Sequence, residues 1–224
     1  MKRTYAEQIE AYYNKKLPSY ELIEFGHTPE LLQKYGAPDV PLVMRQSTLT
    51  KCIRKVTGSR SAHELPRKII ETLPEQISNP IFLINDTSRN SLALISDAID
   101  KNGNKILTAI QLNSVQNAIK VNEVKSVYGK TNLKEYLSKH MYAGQLNIVD
   151  IKKAGRLSRV IGLQLPKALI TSNREHNISS RLDDVNSNFQ KESVIDKLQH
   201  YQRRQKQNKS DQKDLSITNR DRER

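Results

Sequence analysis

The sequence predicts an α+β domain: N-terminal helices packed on a four-stranded, mostly antiparallel sheet, with C-terminal helices and a disordered basic tail. Three observations carry this. Asn102-Gly103 tolerates positive φ and joins alternating apolar runs, as a tight hairpin turn does. In KILTAIQL, Ile106, Thr108, Ile110 and Leu112 fall on one face of a period-two strand and Leu107, Ala109 and Gln111 on the other. Both faces are largely apolar, the pattern of a central strand. The strands form one meander that follows a group of helices, which defines the class.

Taken in order, residues 1–16 read as a polar helix with a weak apolar stripe of Tyr5, Ile9, Tyr12 and Tyr13. Leu22–Phe25 reads as a short edge strand. A helix follows with Thr28 as N-cap, Pro29 in its first position, Glu30 at the positive end of the dipole and Gly36 as its stop. Val40–Met44 has strand character. Ser47 is placed to cap a helix over Thr48–Lys55 that buries Leu49, Cys52 and Ile53 and presents Lys51, Arg54 and Lys55. After a loop with Gly58 and Ser61, a helix starts at Pro66, buries Ile69, Ile70, Leu73 and Ile77, and is stopped by Asn79-Pro80.

The four sheet strands are Ile81–Ile84, Ser91–Ile95, the KILTAIQL run and Ile119–Gly129. Asn132 is placed to cap a helix with Leu133, Tyr136, Leu137 and Met141. A last helix over Val149–Ile161 buries Ile151, Ala154, Leu157 and Ile161, keeps Lys152, Lys153, Arg156 and Arg159 outside, and stops at Gly162. The expected organisation is a lead-in over residues 1–20, a folded domain over 21–170 and a polar tail over 171–224. In that tail only the stretch around Val194, Ile195, Leu198 and Tyr201 has helical character.

A net charge of +13 favours a polyanionic partner, nucleic acid before an acidic membrane. Up to Ile170 there are 25 basic and 15 acidic residues, so the excess sits on the part expected to fold. Between Arg45 and Lys68, seven lysines and arginines (Arg45, Lys51, Arg54, Lys55, Arg60, Arg67, Lys68) face one acid, Glu64, and His63 lies among them. The single cysteine, Cys52, excludes an internal disulfide and a cysteine metal cluster. His27, His140, His176 and His200 have no metal-ligand spacing, and no HExxH, Walker or GxSxG pattern occurs. No cofactor is expected. With no apolar run near the length of a membrane span and no signal sequence, the expected place of action is cytoplasmic and away from the membrane. At the end of the last strand Ser126 and Tyr128 share a face and Lys130 follows Gly129, which groups a hydroxyl, a phenol and an ammonium where strand meets loop.

Several ordered motifs carry a family likeness: GHTPELLQKYGAPDVPLVM, a His just before ELPRKIIETLPEQISNPIFLI, then DKNGNKILTAIQLN, VKSVYGK and IGLQLP. Over about Phe25–Pro166 the chain resembles the C-terminal domain of phage MuF-type head proteins. That family is similar to nucleases of the barnase, EndoU, colicin and RelE kind. The resemblance implies a metal-independent toxin-type ribonuclease of phage or mobile-element origin over residues 21–170, with RNA as substrate. It also implies an immunity or antitoxin protein as a possible partner, and a larger parent protein.

Cleavage by 2′-hydroxyl attack needs a base, an acid and cations for the phosphorane. His63 is the candidate base or acid, since neighbouring cations favour its neutral form; Glu64 is the alternative base. Ser126, Tyr128 and Lys130 match the family's SxYGK pattern. They imply respectively a hydrogen bond to the scissile phosphate, a stacking ring or proton donor, and a phosphate cation. Arg45, Lys51 and Lys55 are the candidates for binding RNA phosphates. The residues alone leave other readings open: a capping or surface histidine, a half-buried strand tyrosine, solvated lysines. The alternative function is a non-catalytic module that binds nucleic acid or protein through the same basic face.

Overall fold

Lys105–Gln116 forms a strand (β5) at the middle of a seven-stranded sheet whose spatial order is β1-β2-β6-β5-β4-β3-β7. The computed structural model describes residues 2–55, 62–167 and 169. The other strands are β1 (Ile23–His27), β2 (Pro41–Met44), β3 (Phe82–Asp86), β4 (Ser91–Ile99), β6 (Ile119–Gly129) and β7 (Leu146–Ile148). The helices are α1 (Tyr5–Tyr13), α2 (Glu30–Lys34), α3 (Gln46–Ile53), α4 (Arg67–Glu71), α5 (Leu73–Ser78), α6 (Leu133–Tyr142) and α7 (Ile151–Ile161). Gly58, Arg60 and Ser61 of the basic loop lie outside the described residues, as do His176, His200, the segment around Val194–Tyr201 and the rest of the expected tail.

The α+β class and the four expected strands are present, but the sheet is larger than four strands. β2 pairs in parallel with β6, Leu42 opposite Asn122 and Met44 opposite Val124. β1 pairs antiparallel with β2, and β7 with β3. Each addition covers an edge that would otherwise present unpaired backbone groups.

The alternation in β5 sorts the helices. Ile106, Ile110 and Leu112 face a core shared with α1 to α5, where Ile9, Leu32, Leu49, Cys52, Ile70 and Leu73 are buried. Leu107 faces a second core with Phe82, Ile95, Leu137, Ile148 and Leu157, under α6 and α7. The helices thus cover both faces, whereas the expectation packed the N-terminal helices on the sheet and gave the C-terminal helices no face.

Three expected helix details are also corrected. Thr28 does not cap α2: its hydroxyl donates to the Val40 carbonyl at 2.7 Å and accepts from Asn122 Nδ2 at 2.8 Å, so Pro29 stands at the cap without a side-chain bond. Helix α3 begins at Gln46, with Ser47 inside it. Asn132 precedes α6 in a left-handed conformation and makes no capping bond. Where Asp150 caps α7 through the Lys153 amide and Gly162 ends it at φ 67°, the expected stop is the observed one.

The helix expected from Pro66 is two helices, because Pro74 has no N–H to give the Ile70 carbonyl. That carbonyl accepts from Tyr5 Oη at 2.7 Å instead. Tyr5 also packs on Phe25 at 4.9 Å between ring centroids, and Ile9 is buried beneath it, so α1 belongs to the first core. Ile9→Ala is expected to lose about 2–5 kcal/mol, and Tyr5→Phe about 1–3 kcal/mol by leaving a carbonyl unpaired. Urea unfolding of the two variants measures both.

Candidate functional site

The site is built where α3 ends. The last carbonyls of a helix have no partner within it. Here Lys51 O accepts from the His63 amide at 3.1 Å, Cys52 O from Leu65 at 2.8 Å and Arg54 O from Glu64 at 3.1 Å. This ties residues 63–65 to the end of α3, with Glu64 left-handed at φ 48°. That conformation costs a non-glycine residue about 1–2 kcal/mol. The Glu64 carboxylate lies 2.6 Å from Lys101 Nζ on the β4–β5 turn, so the alternative base is engaged in an ion pair.

Thus held, the His63 ring stacks on Tyr128, with centroids 5.2 Å apart and planes inclined by 29°. The parallel pairing of β2 with β6 stops at Val124, before Tyr128. Burial, and next the charge of Lys51, lower the pKa of His63 below the ordinary histidine value. Its Nε2 is buried without a hydrogen-bond partner among the described residues. Burial raises the pKa of Tyr128, so the phenol keeps its proton at neutral pH. The Cys52 thiol is pushed up to about 11, chiefly by burial, and is no ready nucleophile.

Lys130 is fixed by its amide, which donates to Lys105 O at 2.8 Å, and its ammonium sits 4.6 Å from the centre of the Tyr136 ring. Gly129 before it packs against the Asp100 side chain, where an added Cβ would overlap the carboxylate. Asp100 in turn accepts from the amides of Asn102 and Asn104, both at 2.8 Å, and so shapes the hairpin turn. Ser126 lies on the Tyr128 face of β6, opposite Ala109.

The structure therefore brings His63 to Tyr128 and to the charge of Lys51, and sets the Lys130 ammonium on Tyr136, with Ser126 two residues before Tyr128 on the same strand face. It does not bring Arg45 to them. Arg45 Nε lies 2.9 Å from the buried carboxylate of Glu123, which also receives Lys125 at 3.0 Å and Gln116 at 2.9 Å. Lys55 is exposed just beyond α3.

Residues passed over in the sequence line the other side of Tyr128. Tyr136 and His140, four apart on α6, meet edge to face at 4.6 Å. With Arg89 and Lys139 they border a cleft of about 510 Å³ that Tyr128 also lines. The i, i+3, i+4 spacing of Tyr136, Lys139 and His140 was a signal that they share a helix face. Among the described residues no three His, Cys, Asp or Glu side chains converge as a metal site requires, and no helix is long and apolar enough to cross a membrane.

Sheet and helices thus define an α+β domain with a histidine–tyrosine pair at one end of its central hairpin. Residues 54–156, from the end of α3 into α7, match the phage MuF-C-terminal domain family. The match ties this segment, which contains His63, Tyr128 and Lys130, to a phage domain. Comparison with curated proteins and with solved structures gave no match.

The unfolded chain protonates His63 near the ordinary value of about 6.5, the folded chain only at lower pH. Stability tied to the neutral ring is therefore complete above that value and is lost as pH falls through the folded pKa. NMR titration should show the depressed value, and Lys51→Gln should raise it only in part, since burial is the larger cause.

Proposed function

We propose that this domain cleaves RNA without a metal, by attack of a 2′-hydroxyl on the neighbouring phosphodiester. The observation that carries the reading is the stacking of His63 on Tyr128 across a long stretch of chain. His63, held neutral, takes the 2′-hydroxyl proton as the 2′-oxygen bonds to phosphorus. The bond from phosphorus to the 5′-oxygen breaks, and Tyr128 supplies the proton to that oxygen. Lys130 stabilises the phosphorane charge, Ser126 holds a phosphate oxygen, and Lys51 and Lys55 bind the flanking backbone. Support comes also from the excess positive charge and from the phage-domain match, which favours a phage or mobile-element parent protein. A toxin of this kind would need an immunity or antitoxin protein in the cell that makes it.

One observation favours a second reading. The buried Nε2 of His63 offers no open nitrogen to a substrate on that side, as suits a module that binds nucleic acid or protein through the same basic face without cutting.

The deciding experiment is incubation of the purified chain with total RNA in EDTA. Cleavage to 2′,3′-cyclic phosphate or 3′-phosphate ends supports the first reading; intact RNA leaves the second. His63→Ala should cost roughly 10²–10⁴-fold in rate with melting little changed. Tyr128→Phe separates a proton donor, which loses activity, from a stacking ring, which keeps it. Charge reversal at Lys51 and Lys55 should weaken RNA binding across sequences and flatten its salt dependence.

A further inference from the structure

The cleft beside Tyr128 has a cause in the sheet. Across β3, β4, β5 and β6 one register row on the α6 face reads Ile84, Ala93, Ala109, Ser126. The next row reads Phe82, Ile95, Leu107, Tyr128. Three small side chains beside a row of large ones leave a trough, and α6 stands over its side with Tyr136 and His140. The floor is apolar, from Ile84, Ala93, Leu107 and Ala109, and the aromatic walls are Tyr128 and Tyr136.

The rim is cationic. Asp86, the one acid among the lining residues, uses its Oδ1 on the turn, accepting from Ser88 Oγ at 2.6 Å and the Arg89 amide at 3.2 Å. The Arg89 side chain is 82% exposed and touches Asp86 only at 3.6 Å. Lys139 is exposed and has no ion pair among the described residues. His140 Nδ1 lies 2.6 Å from Gln145 Oε1. Donation to that oxygen leaves Nε2 as the ring's acceptor when neutral or a donor when charged. A planar, largely apolar body with an anion at one end fits this arrangement, and the volume suits one such unit.

We infer that the cleft is a binding site for a nucleoside phosphate, with the base on the Ala93–Ala109 floor between Tyr128 and Tyr136 and the phosphate held by Arg89 and Lys139. The chemistry is shared by a free mononucleotide and by one unpaired nucleotide of an RNA chain. The inference deepens the ribonuclease reading, resting on it for the choice of RNA as the polymer, but nucleotide binding itself does not require cleavage.

The test is titration of the full chain, by calorimetry and NMR, with AMP, UMP, inorganic phosphate and an all-deoxy hexanucleotide, which has no 2′-hydroxyl to attack. The mononucleotides should bind more tightly than inorganic phosphate. Arg89→Ala should weaken them by about tenfold or more. Ala109→Leu, whose side chain fills the trough, should abolish binding, and Lys34→Ala on α2 should change nothing. A hexanucleotide that binds more tightly than AMP and is also lost in Ala109→Leu marks one unit of a nucleic-acid chain as the occupant; a mononucleotide that binds as tightly marks a free nucleotide. Absence of saturable binding, affinity no better than for inorganic phosphate, or wild-type affinity in Arg89→Ala overturns the inference. Arg89 is exposed, so that arm stands even if Ala109→Leu fails to fold. Nucleotide binding without RNA cleavage would remove the ribonuclease reading alone. Cleavage with cleft variants behaving as wild type would remove this inference alone.

Discussion

The register of β5 cannot slip. Over residues 105–111 its backbone is paired on both edges, by β4 and β6, and Ile106, Leu107 and Ile110 are buried on its two faces. A shift of one residue would send Ile106 and Ile110 toward α6 and α7 and drive Gln111 into the core under α1 to α5. Since β6 is locked to β5, with Thr108 opposite Val127 and Leu107 opposite Tyr128, the same constraint puts Val127 in one core and Tyr128 at the border of the other. The phenol's position is thus decided by packing far from it.

His63 reaches that phenol by a different route. The parallel pairing of β2 with β6 stops at Val124, and from there α3 lies against β6 in place of a strand. The unpaired carbonyls at the end of α3 then capture residues 63–65. Two ordinary requirements, covering a sheet edge and satisfying a helix terminus, converge on one imidazole and lower its proton affinity by enclosing it.

Much of this was legible in the sequence. The two faces of β5, the turn at Asn102-Gly103, the common face of Ser126 and Tyr128 and the stop at Gly162 follow from local periodicity and backbone preference, and the structure shows them. What was not legible depended on distant partners. Nothing local in Pro41–Met44 says that it pairs in parallel with β6, and Leu146–Ile148 is too short to read as a strand. Thr28 looked like a cap because the rule is local, but its hydroxyl is taken by Val40 and Asn122. Arg45 belonged to a basic run by count, yet a buried glutamate claims it. Tyr136 and His140 showed their shared helix face, but the trough beneath it exists only once three small residues from separate strands are lined up.

The contact of Asp100 with Gly129 narrows the routes by which such a domain can diversify. A side chain at 129 needs the carboxylate at 100 removed, and a smaller residue at 100 gives up the bonds to Asn102 and Asn104 that hold the turn. Either change made first is penalised, so the two positions are expected to drift only together. A hairpin turn and the segment that carries Lys130 are thereby inherited as one unit, although some thirty residues of chain separate them.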